Sequence, residues 1–279
     1  MAEKTQATKV EEPKPIIWGT ALKPEEVFQK STAVAQHKKG LKILIYGKED
    51  TMKSGFALSF PPPIYSYDTE IGQPPLFQYF PNKEINWCDA TFLNPDGLQD
   101  ASVALQKFEA SMTLLKDIKT GTIVIDTGTD VILSAFELIG RFWDWIQEWL
   151  NEVGKKKEGH LLQFEWAKAK LKWRKLLLQL LAKPVHVVMT AQPQEIYMNK
   201  EPTGVYRARI QGESAHAFDI VIHAMRWEVV NPATQAKTVQ YKAEITKCRF
   251  KKGWRPLFDD ITYDTLTAAL KKDLGVEVW

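Results

Sequence analysis

The chain has 279 residues, a length that suits one large α/β domain, or one such domain with a tail. Its 37 lysines and arginines nearly balance 34 aspartates and glutamates, so the net charge of +3 indicates no particular partner. Two distant cysteines exclude a disulfide framework and a zinc cluster, and no apolar run reaches the ~18 residues that span a bilayer. Since the N-terminus also lacks an apolar signal core, we expect a cytoplasmic protein with no membrane partner.

The first 38 residues differ in composition from the rest. Met1 to Pro15 is charged, polar and poor in apolar residues, which predicts a disordered tail. Lys23 to Lys38 has helical propensity and a modest apolar pattern, which predicts a short leading helix. We therefore expect the main domain at residues 39–279.

Six short apolar runs follow, each bounded by turn or polar residues, and their pattern predicts buried strands. They are Leu41–Tyr46, Ile64–Asp68, Thr122–Asp126, Val185–Thr190, Ile220–Ala224 and Val239–Thr246. Helical patterns separate several runs, notably at Asp100–Ile118 and Ile132–Val153. This alternation predicts an α/β fold with a mostly parallel central sheet flanked by helices. The last runs have no helix between them, which predicts an antiparallel extension at one edge.

A tryptophan- and lysine-rich helical insertion is expected at about residues 140–183. From His160 to Lys183, apolar residues recur at alternating spacings of four and three, which predicts a helix with one apolar stripe. The stripe consists of Leu162, Trp166, Ala169, Trp173, Leu176 and Leu180. The lysines away from it form either a solvated face or a surface for DNA or a partner. Further upstream, Trp143, Trp145 and Trp149 would serve either core packing or partner binding.

The run GKEDTMKS, from Gly47 to Ser54, lies between the first predicted strand and a short predicted helix at Gly55–Phe60. This is the setting of a phosphate-binding loop, in which backbone N–H groups and a helix start face the phosphates. Lys53 would contact the β- and γ-phosphates of ATP, and the Ser54 hydroxyl would ligate Mg²⁺. Because Met52 replaces a usual glycine, a surface turn remains the alternative. The expected nucleotide-binding residues are Gly47, Lys48, Glu49, Asp50, Thr51, Met52, Lys53, Ser54 and Gly55.

Two predicted strands end in carboxylates that suit ATP hydrolysis. Asp126 follows four apolar or β-branched residues, a pattern typical of a Walker B strand whose aspartate binds Mg²⁺. Its alternative is an aspartate that caps a turn. Glu70, just after the strand that ends at Asp68, would orient the attacking water, and Asp68 competes for that role. The alternative for either carboxylate is a solvated position on a loop.

Polar residues end two further runs. Gln192 follows a strand that ends with Thr190, and at this edge of a sheet it would sense the γ-phosphate. Lys247 and Arg249 fall on one side of a late strand and would complete a neighbouring subunit's site as an arginine finger does. The alternative for Gln192 is an ordinary polar loop residue, and the alternative for Lys247 and Arg249 is the solvated face of an edge strand.

In this order, the segments GKEDTMKS, IYSYDTE, TIVIDTGTD, VHVVMTAQPQ and AEITKCRFKKGWRPLF resemble the RecA/RadA recombinase core, over about Leu41 to Asp264. The chain is similar in style to small phage and archaeal-virus RecA-like ATPases of single-strand annealing systems, which implies a virus-infected cell as one setting. The resemblance implies ATP and Mg²⁺ as cofactors, with Glu70 as the catalytic carboxylate and Gln192 after the sensor strand. It also implies that Lys247 and Arg249 act in trans.

The resemblance further implies two DNA-binding loops, around Lys155–His160 and Glu195–His216. The second loop contains Tyr197, Lys200, Tyr206, Arg207 and Arg209, and basic and aromatic residues in one loop suit single-stranded DNA. We expect Lys200, Tyr206, Arg207 and Arg209 to bind it. We therefore expect an ATP-hydrolysing protein that acts on single-stranded DNA in recombination, annealing or replication, as a homo-oligomeric ring or filament with composite sites. The alternatives are a DnaB-like hexameric helicase motor and a non-catalytic, nucleotide-gated assembly protein.

Overall fold

The computed structural model describes residues 40–91, 101–128, 132–133, 137–138, 163–210, 212–230, 232 and 234–278. The strands are β1 (Lys42–Tyr46), β2 (Ile64–Asp68), β3 (Ile85–Asp89), β4 (Thr122–Asp126), β5 (Ile132–Leu133), β6 (Glu137–Leu138), β7 (His186–Ala191), β8 (Pro193–Met198), β9 (Glu201–Ala208), β10 (Ile220–Val230), β11 (Lys237–Cys248) and β12 (Leu257–Asp259). The α-helices are α1 (Lys53–Leu58), α2 (Ala101–Leu114), α3 (Gln163–Leu181) and α4 (Tyr263–Leu274). Short 3₁₀ helices lie at Pro74–Tyr79, Leu115–Asp117 and Gly212–Ala217.

Eight strands form one sheet in the order β12-β11-β10-β1-β7-β4-β2-β3. The six strands from β10 to β3 in this order pair in parallel, whereas β11 and β12 are added by antiparallel pairing. β1 lies between β10 and β7, and β7 separates it from β4. The predicted RecA-like P-loop architecture with an antiparallel edge extension is therefore confirmed. The loops after β1, β2, β4 and β7 all emerge at the carboxyl edge of this sheet.

Both faces of the central strands are buried, which explains why their sequences are continuous apolar runs. Along β1, Leu44 and Tyr46 belong to the core on one face, and Ile43 and Ile45 to the core on the other. Helices α2 and α3 contribute Phe108 and other residues to the first core, and α1 and α4 contribute to the second. The sheet that carries the carboxyl edge is thus packed between two layers of helices.

The predicted stripe of the long helix is partly within the described residues. Trp173, Leu176 and Leu180 of α3 are buried, so core packing is confirmed for these three. Lys172 pairs with Glu109 of α2, and Lys175 is exposed. The leading residues 1–39, the tryptophans at 143, 145 and 149, and the first predicted DNA-binding loop lie outside the described residues.

The predicted helix at Ile132–Val153 is wrong at its start. Ile132 and Leu133 pair antiparallel with Leu138 and Glu137, as the two-stranded sheet β5–β6. A short apolar run fits either a helix or a strand, and here a local backbone ladder satisfies its polar groups. The remainder of that predicted helix lies outside the described residues.

Several elements lack a sequence prediction, among them β3, the β8–β9 hairpin, β12 and α4. The bounds of α4 nevertheless have local causes. Thr262 caps its start by accepting a hydrogen bond from the Thr265 backbone N–H, and Gly275 ends it in the left-handed conformation. No helix in the described part of the chain is long and apolar enough to cross a membrane.

Candidate nucleotide-binding site

The β1–α1 loop, residues 47–52, starts where β1 approaches β10 closely. A Cβ atom on Gly47 would lie 2.2 Å from the Ala224 carbonyl oxygen, so a side chain does not fit there. Asp50 and Met52 have positive φ values of 54° and 62°. Met52 thus adopts the left-handed conformation that glycine usually supplies, and its side chain is 54% exposed. The missing glycine therefore does not prevent the turn.

Lys53, the first residue of α1, places its ammonium against this loop. Its Nζ donates to the Lys48 carbonyl at 2.6 Å and lies 3.4 Å from Thr51 Oγ1. Burial lowers the pKa of Lys53, while the negative charges of Asp126 and then Glu70 act in the opposite direction. The ammonium therefore lies in the field of carboxylates from the ends of β4 and β2.

The Asp126 carboxylate, at the end of β4, is held from two sides. The Thr190 hydroxyl of β7 donates to Oδ1, and Gln73 Nε2 donates to Oδ2 at 3.0 Å. The Asp126–Thr127 peptide bond is cis. Sequence reasoning placed Asp126 and Thr190 at this edge but missed Gln73, because no local pattern distinguishes this glutamine from an ordinary loop residue.

The structure separates the two carboxylates that compete after β2. Asp68 is buried, and its oxygens accept the backbone N–H groups of residues 70, 72 and 73 at 3.2, 3.2 and 2.9 Å. Its Oδ2 also accepts Trp87 Nε1 at 3.2 Å. Four donors match the acceptor capacity of a carboxylate, so Asp68 shapes the loop. Glu70 is exposed on that loop, near enough to Lys53 to affect its pKa.

Oxygen donors at this edge fit a magnesium ion. The Ser54 hydroxyl lies in the first turn of α1, beside Lys53, and the Asp126 carboxylate carries a negative charge that two neutral donors leave in place. No group of three or more His, Cys, Asp or Glu residues in the described chain could hold a metal by itself. One hydroxyl and one carboxylate fit an Mg²⁺ ion that also binds phosphate oxygens.

A cavity of about 230 Å³ borders the same loop and α1. Its lining includes Met52 and Phe56, Tyr241 of β11, and Ile261 before α4. Apolar surface predominates in this lining, which suits a planar ring.

The segment Glu195–His216, predicted as a loop, has regular secondary structure. Most of this segment belongs to the β8–β9 hairpin and to the 3₁₀ helix at Gly212–Ala217. The hairpin turns at Asn199 and Lys200, whose φ values are 53° and 72°. Positive φ at both central residues suits a tight hairpin turn, and an asparagine at the first position was the available signal.

The four predicted DNA-binding residues differ in exposure. Lys200 at the turn and Arg207 on β9 are exposed. Tyr206 is half-buried, with its ring centre 5.6 Å from Lys48 Nζ. Arg209 is also half-buried, and its backbone N–H donates to the carbonyl of Gln192 at 2.9 Å. Gln192 thus lies between β7 and the hairpin.

Lys247 and Arg249 lie where the parallel strands begin, whereas Lys53 lies where they end. Lys247 pairs with Val221 near the start of β10, and its Nζ donates to the carbonyls of residues 215, 216 and 218 at 3.3, 2.9 and 2.5 Å. Arg249 donates to Asp219 Oδ1 at 2.9 Å and to the carbonyls of His216 and Ala217. Within one chain, the structure does not bring these cations to Lys53.

The profile of the AAA domain family matches residues 39–253, well over half of the chain. No curated protein sequence matches. Among solved structures, the ATPase domain of G40P matches with 14% identity and a TM-score of 0.39, over 80% of this chain and 81% of that chain.

Proposed function

Because the chain belongs to the AAA domain family, we propose that it binds and hydrolyses ATP with Mg²⁺ and acts on single-stranded DNA as a ring or filament of identical subunits. One observation carries the nucleotide part. The ammonium of Lys53 lies on the β1–α1 loop and in the field of Asp126 and Glu70. This arrangement provides a cation for phosphates and carboxylates for metal and water at one edge.

In the proposed complex, the Lys53 ammonium exchanges its hydrogen bond to the Lys48 carbonyl for contacts with the β- and γ-phosphates. Backbone N–H groups at the start of α1 have no acceptor within the helix and would donate to phosphate oxygens. Ser54 and Asp126 would hold Mg²⁺, which supplies positive charge to the β- and γ-phosphate oxygens when bound. The apolar cavity beside Phe56 and Tyr241 would accept the base.

Hydrolysis requires an oriented water molecule, and Glu70 is the proposed base. Asp68 uses its carboxylate to bind the backbone of the loop, whereas the Glu70 side chain extends from it. Gln192, which connects β7 to the β8–β9 hairpin, would transmit the state of the γ-phosphate to that hairpin. Its backbone carbonyl already joins the base of the hairpin through Arg209.

The β8–β9 hairpin is the proposed surface for single-stranded DNA. Near its turn, Tyr197 is 63% exposed and Met198 is 66% exposed, and Lys200 and Arg207 add positive charge. An exposed aromatic ring can stack on a base, and the cations can neutralise phosphates. Tyr206 and Arg209, which are half-buried, would support the hairpin.

Lys247 and Arg249 would act only in a neighbouring subunit's site, since in their own chain they lie at the opposite end of the parallel strands from Lys53 and Asp126. Subunits stacked with the carboxyl edge of one sheet against the opposite edge of the next would bring them there. Their present acceptors are backbone carbonyls of residues 215–218 and, for Arg249, the Asp219 carboxylate, and these would have to be exchanged for phosphate oxygens.

The nucleotide part is tested by binding of a fluorescent ATP analogue to wild type, Lys53→Ala and Lys175→Ala. Lys175 is an exposed lysine on α3 and serves as the matched control. We expect Lys53→Ala to abolish binding and Lys175→Ala to leave it unchanged. Equal affinity in all three proteins would disprove the assignment.

The DNA part is tested by ATP hydrolysis with and without single-stranded DNA, at increasing salt. We expect DNA to raise the rate, and salt to weaken the effect steeply because cations on the hairpin displace counterions. Mixing Lys53→Ala with Arg249→Ala should partly restore hydrolysis if each site needs two subunits. Nucleotide binding without hydrolysis, with DNA present, would instead indicate a nucleotide-gated assembly protein.

A further inference from the structure

We infer that Gln73 is a positioning residue that orients Asp126 for a magnesium ion and ties it to the loop carrying Glu70; this rests on the proposed function. Gln73 precedes the 3₁₀ helix Pro74–Tyr79, and its side chain is 0% exposed. Its Nε2 donates to Asp126 Oδ2 at 3.0 Å, and its Oε1 accepts from Ser66 Oγ at 2.6 Å. The amide therefore links the middle of β2 to the end of β4.

The chemistry of its partners fixes the orientation of this amide. An ionised carboxylate only accepts hydrogen bonds, so the NH₂ group of Gln73 must face Asp126. The amide oxygen then faces Ser66, whose hydroxyl can donate to it. The Gln73 backbone N–H is held as well, by Asp68 Oδ2 at 2.9 Å. Backbone and side chain are thus both fixed in a fully buried residue.

Among the hydrogen bonds of the described residues, Asp126 has one neutral donor on each oxygen, Gln73 from the β2 side and Thr190 from β7. These two bonds fix the plane of the carboxylate. Because both donors are uncharged, they leave its negative charge available to a cation. A carboxylate can accept about four hydrogen bonds, so acceptor capacity remains for the water shell of Mg²⁺.

The loop that carries Glu70 is attached to Asp126 at both ends. At its start, the Thr69 backbone N–H donates to the Asp126 carbonyl at 2.7 Å. At its end, Gln73 donates to the Asp126 side chain. The same glutamine that orients the proposed metal ligand therefore also closes the loop that presents the proposed base.

The test compares Gln73→Met with Gln78→Met. Gln78 lies in the adjoining 3₁₀ helix, is exposed, and donates only to the Pro75 carbonyl at 2.9 Å among the hydrogen bonds of the described residues. ATP affinity is measured by calorimetry in EDTA and at increasing Mg²⁺ concentrations. For Gln73→Met we expect unchanged affinity in EDTA and an approximately 10–100-fold higher Mg²⁺ requirement, the usual effect of losing a group that orients a metal ligand. Gln78→Met should match wild type in both conditions.

A loss of affinity that is equal with and without Mg²⁺ would show that Gln73 only supports the fold. An unchanged Mg²⁺ requirement would also overturn the inference. Failure of wild type to bind ATP at all would instead reject the proposed function, and the inference with it. If Gln73→Met does not fold, Ser66→Ala removes only the partner of the amide oxygen. That variant should show a smaller rise in the Mg²⁺ requirement, and no rise would reject the role of Gln73.

Discussion

The ammonium of Lys48 lies 5.6 Å from the ring centre of Tyr206, so the β1–α1 loop contacts the base of the β8–β9 hairpin. Tyr46, at the end of β1, donates from its hydroxyl to the Tyr206 carbonyl at 3.1 Å. Tyr46 in turn stacks on His223 of β10, with 4.7 Å between the ring centres. The proposed phosphate site and the proposed DNA-binding hairpin are therefore in direct contact.

Tyr206→Leu should weaken the coupling between the proposed phosphate site and the β8–β9 hairpin. Loss of the ring removes a cation–π contact worth about 0.5–1 kcal/mol. ATP affinity without DNA should be unchanged, while the increase in hydrolysis at saturating single-stranded DNA should fall. Tyr197→Leu is the control, because it should weaken DNA binding but keep the full increase at saturation. If both variants keep the full increase, the contact does not transmit the signal.

Two glycines near the loop should respond oppositely to alanine. Gly47→Ala forces its Cβ against a backbone carbonyl, and overpacking of this kind costs about 1–3 kcal/mol. A Cβ on Gly55 would meet only Met52 Cε at 3.3 Å, the end of a flexible side chain. Since alanine also favours a helix, Gly55→Ala should raise the free energy of unfolding by up to about 1 kcal/mol. Urea unfolding measures both, and equal effects would contradict the close approach at Gly47.

Asp68→Asn should mainly lower the stability of the chain, whereas Glu70→Gln should mainly lower the rate of ATP hydrolysis. Asp68→Asn removes the charge that holds three backbone N–H groups and Trp87, so the free energy of unfolding should fall by about 1.5–3 kcal/mol. Glu70→Gln, at an exposed position, should lower stability less than Asp68→Asn but lower the hydrolysis rate about 100-fold or more while ATP still binds. A normal hydrolysis rate in Glu70→Gln would exclude it as the base.

Lys247→Met should destabilise the chain more than Arg249→Met. Lys247 donates to three carbonyls near the start of β10, and leaving such groups unpaired costs about 1–3 kcal/mol. Arg249 donates to Asp219 and to the carbonyls of His216 and Ala217, but these bonds are solvent-exposed, and an exposed ion pair contributes at most about 1 kcal/mol. Thermal unfolding compares the two. Equal small losses would indicate that Lys247 does not secure this segment.

His223 should make stability depend on pH. Burial lowers its pKa, and the charge of Glu244 acts in the opposite direction. The unfolded chain then binds this proton at a higher pH than the folded chain. The contribution to stability is therefore complete above about pH 6.5, decreases as the pH falls below it, and levels off below the folded pKa.

His223→Phe keeps a ring against Tyr46 and removes the titration, so stability should fall less between about pH 7 and pH 5. Urea unfolding at each pH gives the slope, with the exposed His216→Gln as control. Identical slopes in His223→Phe and wild type would show that this histidine does not titrate differently on folding.

The strands and the turn after β1 could be predicted from the sequence because their causes are local. Strands buried on both faces are continuous apolar runs, and β1, β2, β4, β7 and β10 lie where such runs occur. The parallel order then brings the ends of β2, β4 and β7 to one edge. The hairpin was missed because β9 is largely exposed and has no continuous apolar run, and β5–β6 was missed because strands of two residues leave the local pattern ambiguous.

What the sequence determined by itself is the sheet and the candidate groups along its carboxyl edge. Only the tertiary structure decided which of those groups are held by hydrogen bonds inside the protein and which are exposed, because the hydrogen bonds around Asp126 join residues distant in sequence. Gln73 meets Asp126 across 53 positions, and Thr190 meets it across 64. Asp68 and Glu70 stand two residues apart with the same charge, and they differ because folding buries one against four donors and leaves the other exposed.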